Sequence, residues 1–137
     1  MNDYTISIVK ESFDLVEPIA PQAAALFYEN LFEADPSLQR IFTNNAVPQG
    51  EKLVQLVERV ICKLDQPEAL MPALRELGRS FIGQGLGDAQ SATIRGAMLK
   101  ALYQGLGVAY TPEVEEAWIE VYGDLITLMK EATAVPA

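Results

Sequence analysis

The chain has 137 residues, half of them hydrophobic and 21% charged, which is enough apolar material for one full core in a single domain. Its formal net charge of −9 argues against nucleic acid and against an anionic membrane surface as partners. Histidine is absent and cysteine occurs once, at Cys62, so an imidazole base, a histidine metal ligand, a Ser-His-Asp arrangement and an internal disulfide are all excluded.

Met1 to Thr5 shows no basic stretch leading into an apolar run, so no signal peptide is expected. The apolar runs fall short of a membrane span, and the expected location is the cytoplasm. Apolar residues recur at helical spacing, and no segment alternates as a strand does. A first helix is expected from about Thr5 to Val16, with Ile6, Val9, Phe13 and Val16 on one face. Pro18 and Pro21 punctuate it and open a second helix carrying Ala24, Phe27, Tyr28 and Leu31. Asp35 and Pro36 read as an N-cap with proline at the first position of a short helix ending near Ile41 and Phe42.

Pro48 is read as the start of a longer helix striped by Leu53, Leu56, Val57, Val60 and Leu64. Asp65 to Pro67 breaks it. The next helix carries Leu70, Leu74, Leu77 and Phe81, and ends in the glycines of residues 83–87. A helix from Ala92 to about Leu106 follows, with Ile94, Ala97, Met98, Ala101 and Leu102, and Gly107 ends it. Thr111 and Pro112 cap the last helix, which carries Val114, Ala117, Trp118, Val121, Tyr122, Leu125 and Met129. The tail, residues 133–137, is expected to fray. The result is an all-α single domain over residues 1–137, with about seven helices of unequal length in a globin-like packing rather than an even four-helix bundle.

Four stretches carry a resemblance: AALFYENLFEADPSLQRIF (24–42), QGEKLVQL (49–56), ALMPALRELGRSF (69–81) and TPEVEEAWIEVYGDL (111–125). Together they resemble the bacterial single-domain globins, and with them the haem domain of flavohaemoglobins, from about Ile8 to Met129. The resemblance implies a haem pocket between the middle helices. It places Tyr28 and Gln49 as a polar pair that hydrogen-bonds a ligand on iron, Phe42 as a wedge on the haem, and Leu53 as cover on the same face. On the residues alone, Tyr28 reads equally as a core tyrosine and Gln49 as an exposed first-turn residue.

On the other face, the family's iron-binding histidine falls on Gln90 within GQGLGDAQSATIRGAML (83–99). A neutral carboxamide is a poor iron ligand beside His, Cys, Met or Tyr. A second histidine of the family falls on Phe81, and an aromatic position falls on Lys100. Lys100 either points under the haem or reaches solvent from the helix edge. Cys62, Met71 and Met98 read as structural core, with Met98 inside the implied pocket.

The favoured expectation is therefore a globin fold with no resident haem, serving as a sensory, regulatory or interaction module. Its pocket would be collapsed or filled by a small apolar ligand such as a fatty acid or a linear tetrapyrrole, and its partner would be another protein or a second copy. The alternative is a haem-binding globin with non-histidine or weak axial ligation, by Gln90, water or Lys100, that takes oxygen or nitric oxide. No nucleophile and base pair up, and no flavin or nicotinamide domain is expected, so the chain is not read as an enzyme. No metal ligand is assigned apart from Gln90 at the axial position.

Overall fold

The computed structural model describes residues 2–38, 46–83 and 91–133, with side chains described among them except at 38, 46–53, 80–83, 91 and 130–133. The described residues form six α-helices: α1 (Asp3–Val16), α2 (Ala20–Ala34), α3 (Ala46–Cys62), α4 (Pro67–Gly83), α5 (Ser91–Leu106) and α6 (Pro112–Thr133). Short 3-10 turns at Glu17–Ile19, Pro36–Leu38 and Gly107–Ala109 join them, and no strand occurs among the described residues. The short helix expected to end at Phe42 shows its first turn at Pro36–Leu38, and its remainder lies outside the described residues.

Local chemistry explains most boundaries. α1 starts two residues earlier than the apolar stripe predicts, because the Asn2 side chain accepts the Thr5 backbone N–H at 2.8 Å. Asp35 accepts from the Ser37 N–H at 3.2 Å and from the Ser37 hydroxyl at 2.6 Å, so it caps the turn opened by Pro36 as its position suggests. α3 also starts two residues before the expected Pro48. Proline is tolerated in a first turn because its missing N–H would have no intrahelical partner there. Gly107 adopts φ 57, the left-handed conformation that stops α5. Thr111 caps α6 by accepting the Val114 N–H at 3.2 Å. Pro72 lies inside α4 on an exposed face, where the carbonyl left without a backbone donor is open to solvent rather than buried.

Two apolar clusters form the core. The larger joins Val9 and Phe13 of α1, Val60 of α3, Leu74 of α4, Leu102 of α5, and Trp118 and Val121 of α6. The smaller joins Phe27, Tyr28 and Leu31 of α2 to Ala97 and Ala101 of α5. α2 packs most extensively on α5 and also on α3, while α6 packs on α4 and α1. The alanines let α2 and α5 approach closely. Nearer the end of α5, a Cβ at Gly105 would lie 3.3 Å from Cδ1 of Ile19, in the 3-10 turn that precedes α2.

Polar bonds register the helices across these seams. The Trp118 indole N–H donates to Ser12 Oγ at 2.8 Å, and the Ser12 hydroxyl donates in turn to the Ile8 carbonyl at 2.8 Å. Asn30, only 5% exposed, donates from Nδ2 to Gln104 Oε1 at 2.9 Å and so ties α2 to α5. The Tyr4 hydroxyl donates to the Glu113 carboxylate, which joins α1 to the first turn of α6. Lys10 pairs with Asp65 at 3.2 Å, and Arg59 of α3 with Glu76 of α4 at 2.9 Å. No helix of the structure is long and apolar enough to cross a membrane, among the described residues.

Candidate functional site

The site is built on the seam between α2 and α5. On α2, helical spacing turns Phe27, Tyr28 and Leu31 inward together. Tyr28 is 6% exposed. Phe27 meets its ring edge-on, with centroids 5.2 Å apart, and Phe32 stacks on it at 6.0 Å. This aromatic frame fixes the phenol. Burial pushes the Tyr28 phenol up to about 12, because a phenolate would lose its hydration there. The group therefore stays a neutral O–H, able to donate a hydrogen bond, across the whole range in which proteins work.

Opposite, α5 contributes a stripe of Ile94, Ala97, Met98 and Ala101, at spacings of three, one and three. Met98 is half-buried and packs against both apolar clusters. Lys100 departs from the implied pocket position. Its side chain is 52% exposed, and its ammonium lies 3.8 Å from the Glu33 carboxylate. With Ala97 and Ala101 turned onto α2, Lys100 emerges at the helix edge, where the ammonium keeps its hydration and a surface partner.

The remaining implied pocket residues are only partly covered. Gln49 and Leu53 lie on α3 and Phe81 on α4, where the structure describes the backbone but not these side chains. Phe42 and Gln90 lie outside the described residues. Asn30 is a site-adjacent residue that the sequence reading passed over. Its signal was a lone amide within the apolar face of α2, and the structure uses it to lock α2 onto α5.

Which cofactor could these residues hold? No group of three or more His, Cys, Asp or Glu converges on a metal site among the described residues. Haem iron is held by His, Cys, Met or Tyr. The chain has no histidine, and Cys62 is exposed at the end of α3. Met71 and Met129 pack on the larger cluster alone. Of the ligand types, the α2–α5 cluster contains Tyr28 and Met98 among the described residues. The seam thus holds one neutral phenol and one thioether among apolar side chains.

Comparison with known proteins places this arrangement in a family. The Globin family profile matches residues 25–129. The chain is 30% identical to a flavohemoprotein of Rhodopirellula baltica over 128 residues, which is 91% of this chain but 31% of that protein. It is 24% identical to a leghemoglobin of Psophocarpus tetragonolobus, covering 92% of this chain and 93% of that one. The chain thus spans about a third of the length of the flavohemoproteins it matches. Among solved structures, a hexacoordinated heme protein from an anhydrobiotic tardigrade superposes with a TM-score of 0.86 at 13% identity, covering 98% of this chain and 96% of that one. The hemoglobin of the botfly Gasterophilus intestinalis superposes at 0.84 and 9% identity, covering 98% and 100%. With six helices packed as in these structures and the family profile running over more than half its length, the chain belongs to the globin family.

Proposed function

We propose that this globin binds haem without histidine and holds a diatomic ligand, oxygen or nitric oxide, beside Tyr28. The observation that carries the reading is the buried, neutral Tyr28 hydroxyl framed by Phe27 and Phe32. The names of the relatives, flavohemoprotein and leghemoglobin, support it. When bound, haem supplies an iron that takes the diatomic ligand. The chain supplies the rest. Phe27 and Phe32 orient the phenol, the apolar α2–α5 wall excludes water, and the Tyr28 O–H donates a hydrogen bond to the ligand. By resemblance, Gln49 would share the donor role, Phe42 and Leu53 would cover the same face of the group, and Phe81 and Gln90 would line its other face.

The test is haem titration of the purified protein. A saturable Soret band is expected, with Tyr28→Phe loosening oxygen about tenfold or more, as loss of one strong hydrogen bond requires. A protein that stays colourless with haem in excess, yet unfolds cooperatively, refutes the proposal.

One observation favours a second reading. The whole chain lacks histidine, so the strongest iron ligand of the family is missing. In that reading the fold is a haem-free sensory, regulatory or interaction module. Gln90→His separates the two. If a colourless wild type gains a Soret band on this change, the pocket is open and only the ligand was lost. If the variant stays folded and colourless, the space is filled.

A further inference from the structure

We infer that the Asn30–Gln104 hydrogen bond positions Tyr28, by fixing the rotation of α2 and so the point from which the phenol donates to a bound ligand. Asn30 and Gln104 are positioning residues, and the ligand part of their role rests on the haem reading above.

The aromatic frame cannot do this alone. Phe27, Tyr28 and Phe32 all belong to α2, so the frame holds the phenol against its own helix and turns with it. The α5 side of the smaller cluster is Ala97 and Ala101, whose methyl groups attract α2 without direction. Asn30 supplies the direction. It is 5% exposed, and its Nδ2 donates to Gln104 Oε1 at 2.9 Å and lies 3.5 Å from the Ala97 carbonyl oxygen. Side chains lean toward the N-terminus of their helix, so Gln104 reaches back over the preceding turn and meets the amide there. Turning α2 would pull Nδ2 off both acceptors and leave a buried amide unpaired, whereas apolar contacts would merely exchange. The Glu33–Lys100 pair, about one turn further along each helix, lies at the surface at 3.8 Å and adds little.

Tyr28 feels this grip because it sits two residues from Asn30 on one helix, about 200° round the axis. Both sides of α2 are engaged, since it packs on α5 and on α3. A rotation of only about 10° moves a hydroxyl standing ~9 Å from the axis by roughly 1.5 Å. Good O–H···O distances span about 0.5 Å, so a small slip is enough to lose the bond.

The experiment cuts the bond at its exposed end. Gln104→Met removes the acceptor and should keep the fold, as judged by helical circular dichroism. Gln104→Glu keeps an acceptor oxygen at the same reach. In the apoprotein carrying carbon-13 at tyrosine Cζ, the Tyr28 resonance is assigned by its loss in Tyr28→Phe. Wild type and Gln104→Glu are expected to share one Tyr28 resonance, and Gln104→Met to shift or split it. In the haem-loaded protein, Gln104→Met is expected to release oxygen about threefold faster or more. It is expected to change nothing in a Tyr28→Phe background, where the phenol is already gone. A Tyr28 resonance unmoved by Gln104→Met, or oxygen release quickened equally in both backgrounds, overturns the positioning role and leaves the haem reading standing. A wild type that takes up no haem overturns the haem reading, and the apoprotein resonance still decides whether the pair positions the phenol.

Discussion

Tyr28→Phe in the apoprotein tests whether the site is as dry as its packing indicates. The folded phenol stands at about 12 against an ordinary 10.0, and the first cause is burial. A proton held more tightly in the folded state makes a contribution that is complete below the unfolded pKa. That contribution is lost as pH rises toward the folded pKa, because only the unfolded chain ionises in that window. Midway, near pH 11, the unfolded state has gained about a factor of ten, which is roughly 1 kcal/mol. Urea unfolding at about pH 8 and about pH 11 reads this directly. The wild type should lose roughly 1 kcal/mol more between the two than Tyr28→Phe does. Tyr110, also pushed to about 12 by burial and then by Glu115, titrates in both proteins and cancels in the difference. If the two proteins lose equal stability, the phenol is hydrated, and its role as a neutral donor in a dry pocket falls with it.

Other perturbations probe the frame that holds the site. Ser12→Ala strips the acceptor from the buried Trp118 N–H and should cost about 1–3 kcal/mol in urea unfolding. Adding Trp118→Phe to it should cost less than the sum of the single changes, because the orphaned donor is gone. Gly107→Ala should destabilise by about 1 kcal/mol through backbone strain alone, since the φ is 57 and no atom lies within 4 Å of the new Cβ. A thermal melt unchanged by that substitution would show that the turn after α5 relaxes. Asp65 is held below the ordinary carboxylate range, first by its hydrogen bond with Lys10. Its contribution is therefore present above the unfolded pKa and lost as pH falls, so Lys10→Met should flatten the acid side of the stability profile. An acid limb that is identical in both proteins would remove Lys10 as the cause.

The amino-acid order by itself determined the helices and most of their ends. Pro36 after Asp35, Pro112 after Thr111 and Gly107 after Leu106 each act within a few bonds, and the structure shows each of them working as a local signal should. The inward faces were equally legible, because a 3.6-residue period commits Val9, Leu31, Leu74 and Val121 to a core whatever that core meets. The start of α1 was missed because a single amide, Asn2, outreached the apolar stripe.

The site was less legible, since it depends on which faces of distant helices meet. Tyr28 could be named from its motif, yet its neutrality comes from the aromatic frame and the burial around it. Lys100 could be drawn either way from spacing. Only the seating of α5 on α2, by Ala97 and Ala101 with Asn30 bonded to Gln104, turned its ammonium outward to Glu33. The same seating set Met98 against both clusters. Composition by itself settled that the sequence contains no imidazole. Tertiary packing decided that Tyr28 and Met98 share one cluster, because that meeting rests on contacts between segments about seventy residues apart, which no local signal encodes.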